Sequence, residues 1–389
     1  MSFNQYTWDL YKQTTIGIEM IKYFSDAGGY VLFKDYCPYA NFIPEDLYND
    51  WLENIYCYGV SDYDHPSSLE EAKDLYISLI TLGIRVEGQQ WLPANDFKNM
   101  LGIIQPMSYV LSQFAPEYFF PYLFLCRIFE LNKIADFFNI DLPNIPKRTD
   151  YKGRCMYYWE LCEVFYLFRK ENGLSPADLW SFLYDFAPNN LPSEKIDMPK
   201  PSQVWFIGGR LYQEDKSLES KFWQSSPETK KGDILVHYET SPISAITCIE
   251  TSLTDGVIDP LFRYYGCIYI GNRINIPHIT LKELQTDEYF FKHPLVRKNF
   301  QGVNGWSVNS ENYSELLRMI KTKGFDIEVL PKLYAPTLPK DVIIEYEHDV
   351  EQQLLEPLLN SMGWYENKDF IRQLPIQAGR GHRIFPDYA

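Results

Sequence analysis

Lys231-Gly232-Asp233-Ile234-Leu235-Val236-His237-Tyr238 reads as a turn that feeds a buried strand. Gly232 marks the turn, and the run behind it is β-branched, apolar and aromatic. Similar runs lie on both sides of it. Val204 to Ile207 precedes Gly208-Gly209, and Ala245 to Thr251 and Tyr264 to Ile270 follow. Helices are expected at Leu281 to Glu288 and at Tyr313 to Lys323. Several short strands mixed with a few helices predict a small α+β barrel.

Upstream, the text is helical. Ser67-Ser68-Leu69-Glu70 is an N-terminal capping pattern, and Leu75, Leu79 and Leu82 recur behind it at helical spacing. Tyr158, Leu161, Val164, Phe165 and Phe168 make one stripe, which Gly173 stops. Ser175-Pro176-Ala177-Asp178 restarts a helix, with Ser at the cap and Pro in the first turn. Between Ala187 and Ser202 Pro, Asn, Ser and Lys replace all periodicity, which marks a linker. A second break, Pro331 to Pro339, precedes a helical stripe of Val350, Leu354, Leu355, Leu358 and Leu359, ended by Gly363. Phe370 to Ile376 alternates like a strand.

Composition narrows the partners. The 389 residues carry 36 Lys plus Arg against 52 Asp plus Glu, a formal net charge of -16. That rules out a generic basic nucleic-acid coat and leaves room for one local basic patch. Apolar residues make up 46%, enough for a sizeable core, and aromatics make up 16%, enough to build stacking surfaces. The seven cysteines form no CxxC, so neither a disulfide framework nor a thiolate zinc site is indicated, and a cytoplasmic location is expected. MSFNQYTWDL is not a signal peptide, and the most apolar stretch, Tyr118 to Leu131, is interrupted by Arg127 and Glu130. HEXXH, Walker A and EF-hand patterns are absent.

In order and spacing, the middle segment resembles the EVE family of the PUA-like superfamily. Val204-Trp205-Phe206 resembles the opening strand, and Trp223 stands a short loop before KKGDILVHY. Ile279-Thr280-Leu281-Lys282-Glu283-Leu284, His293-Pro294-Leu295-Val296-Arg297 and Gly305-Trp306-Ser307-Val308 follow the closing sequence. The resemblance covers Pro201 to Pro331 and implies a small twisted barrel with a pocket for a flipped, modified nucleobase. Unstacking a base costs a few kcal/mol, and stacking on aromatic side chains returns about 1–3 kcal/mol per base. Trp205, Trp223, Tyr238 and Trp306 are the expected pocket walls. Arg210, Lys221, Arg273 and Arg297 are the main candidates for phosphate contacts, with Arg263 and Lys298 beside them. The plainer reading makes these tryptophans core, these cations solvated charges and His237 a satisfied strand residue.

The last 50 or so residues are similar to the start of the endonuclease domain of type I restriction subunits, of the PD-(D/E)XK type. Glu347-His348-Asp349-Val350-Glu351, Leu354-Leu355-Glu356-Pro357-Leu358-Leu359, Gly363-Trp364 and Pro386-Asp387 fall in the family's order. The resemblance implies Asp387 as the Mg²⁺ ligand and Glu347 as the helix carboxylate. The sequence ends at Ala389, before any Glu-x-Lys, so the expected nuclease is incomplete and no cofactor is expected in this chain.

These readings combine into a multidomain α and α+β fold. An all-α domain of unnamed role spans 1–190, the EVE/PUA-like barrel 201–331 and the incomplete restriction-endonuclease-like α/β piece 340–389. The expected function is a binding module for modified DNA, or RNA, in a bacterial restriction or defence protein. A Mg²⁺-dependent endonuclease and a protein-interaction scaffold acting through the helical domain are the alternatives. No membrane partner is expected.

Overall fold

The structure, a computed structural model, describes residues 3–37, 40, 43–86, 89–192, 198–211, 220–334, 346–372, 376–377 and 383–384. Its contacts divide the chain into a helical unit, 1–194 with 257–265, and a sheet unit, 195–256 with 266–389. The architecture is multidomain, α and α+β.

In the helical unit, α1 is Leu69–Leu82, α2 Tyr151–Glu171 and α3 Pro176–Ser181. Each starts where a side chain can satisfy free backbone N–H groups. Ser68 Oγ accepts from the N–H of Glu71, and the Glu71 carboxylate accepts from Ser67. Asp150 caps α2 through Gly153 N–H at 2.9 Å. Ser175 and Asp178 cap each other reciprocally. The α2 face buries Tyr158, Trp159, Leu161 and Phe165. Gly83, at φ +75°, ends α1, and a short hairpin pairs Ile84–Val86 with Gln89–Leu92. The expected all-α character of 1–190 fails there.

Residues 257–265 pack with this unit because a buried arginine holds them. Arg154 is 1% exposed and donates to the carbonyls of Pro260 at 2.8 Å and Phe262 at 2.7 Å. Burying a guanidinium is tolerable only when its donors are used.

The sheet unit is built on β1 Val204–Gly209, β2 Ser220–Gln224, β3 Ile234–Glu239, β4 Ala245–Ser252, β5 Gly266–Thr280 and β6 Trp306–Val308. Their order is β2-β5-β4-β3-β1-β6. The sheet curls into a half-barrel, where the sequence predicted a small barrel. Only β1 and β3 are parallel, pairing Trp205 with Leu235 and Ile207 with His237. Helices α4 Leu281–Thr286 and α5 Ser310–Thr322 fall at the expected places.

Period-two alternation sorts the strand residues between two faces. Val204, Phe206, Ile234, Val236 and Tyr238 enter the larger core, with Leu284, Phe300, Leu316 and Ile320. Trp205, Ile207 and Leu235 enter a smaller one with Ile268, Ile270 and Trp223.

The Lys-Gly-Asp turn fixes the start of β3. Gly232 has φ +93°, and a Cβ there would lie 2.5 Å from the Pro199 carbonyl oxygen. Asp233, fully buried, accepts from Ser202 Oγ, Gln203 N, Trp205 Nε1 and Lys230 N between 2.8 and 3.0 Å. One carboxylate thereby ties the turn to β1.

Of the C-terminal segment, α6 Glu356–Ser361 and its flanks are described. Lys230 pairs with Asp369 and lies over the Trp364 ring, and Lys368 meets Asp255 at 2.6 Å. No helix among the described residues is long and apolar enough to cross a membrane.

Candidate functional site

The smaller core is where apolar packing gives way to charge. On β3, the position after Val236 is His237, fully buried, and its neighbours on β2 and β4 are Lys221 and Glu250, 5% and 2% exposed. Three buried ionisable groups this close need one another, because an unpaired charge there is prohibitive. His237 Nδ1 lies 2.9 Å from Glu250 Oε2. Lys221 Nζ lies 3.4 Å from Glu250 Oε1, and Arg273 on β5 reaches the same oxygen at 2.8 Å. Burial alone would raise the Glu250 carboxyl, but the His237 contact and the charges of Lys221 and Arg273 outweigh it and hold it at about 2.

Bulges aim these groups. The β4–β5 register shifts between Ile246 and Cys248 and again between Ile249 and Thr251, so Glu250 stands inside an irregularity. The β3–β4 register shifts next to His237. Bulges commonly re-aim side chains beside functional sites.

Trp223 closes the group. Its ring centroid lies 5.0 Å from that of His237 at 57°, and Lys221 Nζ sits 4.8 Å from the indole. The indole rests on β1, where a Cβ on Gly209 would fall 2.5 Å from Trp223 Cζ2. Trp223 and Arg273 are half-buried, so the group approaches the surface at these two residues.

Two buried ring nitrogens here, Trp223 Nε1 and His237 Nε2, have no hydrogen-bond partner among the described residues. A buried polar atom left unpaired costs about 1–3 kcal/mol, so two on touching rings call for an explanation.

His237, Cys248 and Glu250 place their ligand atoms within 4.8 Å of one another. That spacing would admit a metal ion, but the donors suit one poorly. Burial pushes the Cys248 thiol up to about 12, so it stays protonated, and two cations already neutralise Glu250.

The four expected pocket walls do not share one face. Trp205 and Trp223 belong to the smaller core. Tyr238 belongs to the larger one, stacked on Phe300 at 4.0 Å and 4°, and Trp306 packs against that same core. Alternation along β3 separates Tyr238 from His237. Trp205 is 2% exposed with its N–H committed to Asp233, so it is a structural wall.

The expected phosphate contacts divide as well. Lys221 and Arg273 turn to Glu250, and a buried ammonium cannot meet a nucleic-acid backbone. Arg210, just past β1, and Arg297, closing the helix Pro294–Arg297, are exposed. Asp387 lies outside the described residues. Glu347 opens the helix Glu347–Val350, and its side chain lies outside them too. Glu250 went unread in the sequence. The available signal was a lone acid inside the apolar run Ala245–Ser252, facing a lone lysine in Ser220–Gln224.

No family model and no curated protein matches the chain. Three solved structures are similar to part of it. A protein from Agrobacterium tumefaciens, solved by X-ray crystallography, is 17% identical over 34% of this chain and 100% of its own, with a TM-score of 0.29. A Rhodopseudomonas palustris protein solved by NMR is 14% identical over 31% of this chain and 94% of its own, at 0.27. A hypothetical protein from Leishmania major is 12% identical over 32% and 98%, at 0.27.

Proposed function

We propose that the sheet unit is an EVE-like reader that takes one unpaired, modified base of a nucleic acid against Trp223 and His237. The observation that carries this reading is the pair of buried ring nitrogens on those residues that have no hydrogen-bond partner among the described residues. A heterocycle edge supplies the hydrogen-bond partners they lack, and removing those atoms from water is then repaid on binding. The Glu250–Lys221–Arg273 network supports the reading as a rigid frame that orients the imidazole. The similarity of the C-terminal segment to restriction subunits suggests a defence protein as the setting.

A reader of this kind needs few phosphate contacts, which suits a chain of net charge -16. Its affinity falls with salt only weakly, because counterion release is small.

Fluorescence anisotropy tests the proposal. Short single strands and duplexes carry cytosine, 5-methylcytosine, 5-hydroxymethylcytosine, adenine, N6-methyladenine or N4-methylcytosine at one position. A tenfold preference for one modification, about 1.4 kcal/mol, supports a reader. No binding across the panel at low salt leaves the half-barrel as a scaffold.

A further inference from the structure

The outer face of α2 differs from its packed face. Tyr158, Trp159, Leu161 and Phe165 are buried, while Glu160, Val164, Leu167 and Glu171 recur at helical spacing and share one outer stripe. Two hollows lie along that stripe, both within the helical unit. One, of about 410 Å³, has Phe138, Phe168, Asp141 and Glu171 in its lining. The other, of about 540 Å³, includes Asp150, Glu160 and Glu163. Val164 and Leu167 line both hollows, which together make one groove. From Gly153 to Asn172 the groove follows α2 for about 28 Å, at 1.5 Å per residue. Leu167, where the hollows meet, is 56% exposed.

Charge in this groove has one sign. Five acids line it and, among the described residues, no Lys or Arg does. Two of the five have partners of their own, since Asp150 caps α2 and Glu163 meets Lys73 at 3.6 Å. Burial and the neighbouring Glu163 raise the Glu160 carboxyl above its ordinary value, although Lys73 acts against them. A cationic partner relieves this repulsion, and an anionic one adds to it.

We infer that the groove docks a basic amphipathic helix of a partner protein, its apolar side chains on Val164, Leu167 and Phe168 and its Lys or Arg side chains against Glu160, Asp141 and Glu171. The arrangement fits helix-in-groove recognition, in which apolar anchors recur every three or four residues. A length of about 28 Å accommodates a helix of about 19 residues. The net charge of -16 steers a cationic segment toward the protein. This docking is separate from base reading, which uses the sheet unit.

Fluorescence anisotropy tests it, with the full chain titrated into a labelled Leu/Lys peptide, LKKLLKLLKKLLKL, at 150 mM salt. Its acidic counterpart, LEELLELLEELLEL, should not bind. Asp141→Lys combined with Glu171→Lys should weaken binding of the basic peptide tenfold or more, and Leu167→Gln threefold or more. All three residues are exposed, so the fold survives their replacement. Glu19→Lys combined with Glu53→Lys changes net charge equally, at exposed positions that line neither hollow. That pair should leave affinity within twofold, because salt screens charges beyond about 8 Å. Equal losses from the two pairs reduce the attraction to net charge and overturn the inference. An affinity that Leu167→Gln leaves unchanged, or no binding of the basic peptide, also overturns it. Sedimentation of the same proteins covers the remaining occupant: self-association abolished by Leu167→Gln assigns the groove to a second copy and overturns the basic partner.

Discussion

The indole of Trp223 and the imidazole of His237 lie 5.0 Å apart, centroid to centroid, and each holds a buried nitrogen with no partner among the described residues. Trp205, on β1 beside the strand of His237, has its N–H bound to Asp233 at 2.9 Å. The two tryptophans therefore respond differently to the same substitution. Trp205→Phe leaves a buried carboxylate short of a donor and destabilises the sheet unit by about 1–3 kcal/mol. Trp223→Phe deletes a buried N–H with no partner among the described residues, so stability holds or rises slightly while binding weakens. Urea unfolding of both variants, beside wild type, checks the contrast.

Glu250→Gln leaves Lys221 and Arg273 buried beside a neutral amide. Removing one partner of a buried ion pair costs about 3–5 kcal/mol. The pH dependence follows from the same carboxyl. Its ordinary value is 4.5 and the folded protein holds it at about 2. The folded state binds its proton less readily, so the stabilisation is complete above about 4.5 and is lost as pH falls toward 2. Chemical denaturation between pH 5 and pH 2 should show this slope in wild type and a shallower one in Glu250→Gln.

Asp259, in the helical unit, titrates in the opposite sense. Its carboxyl is fully buried, and burial raises it from 3.8 to about 7 despite hydrogen bonds from the N–H groups of Leu261 and Phe262. The folded state holds this proton more tightly than the unfolded chain. Stability therefore falls as pH rises from about 4 to about 7 and is level above that. Asp259→Asn keeps an acceptor for both N–H groups and removes the charge. It should be more stable than wild type at pH 8 and should lose this slope, measured by thermal unfolding across pH 5 to 8.

Gly209→Ala tests the seat of the indole. The new Cβ would lie 2.5 Å from Trp223 Cζ2, so the ring must shift. Overpacking of this kind costs about 1–3 kcal/mol. The variant should change the Trp223 environment, seen in tryptophan fluorescence, and weaken binding.

Much of the fold was legible because its signals are local. The cap at Ser68, the cap pair Ser175 and Asp178, and the strand after Gly232 all sit where the text placed them. The hairpin after Gly83 was missed because strands of three and four residues are too short to show a period of two. The long strand β5 was expected to stop at Ile270. Gly271-Asn272 reads as a turn, yet Asn272, at φ +51°, lies within a strand that continues to Thr280. The candidate site was half legible. Trp223 was named as a wall, but His237 was read as structural and Glu250 went unread. Their roles depend on which strands become neighbours, β2 beside β5 beside β4, and on bulges that no local pattern announces.

The most direct measurement follows the indole N–H signals of protein carrying ¹⁵N-labelled tryptophan while the best-binding oligonucleotide is added. Nine tryptophans give nine signals, and the Trp223→Phe and Trp205→Phe spectra assign the two that matter. The account predicts that the Trp223 signal moves downfield as its N–H gains an acceptor, while that of Trp205, already bonded to Asp233, stays in place. Saturating nucleic acid that leaves the Trp223 signal unmoved would contradict it.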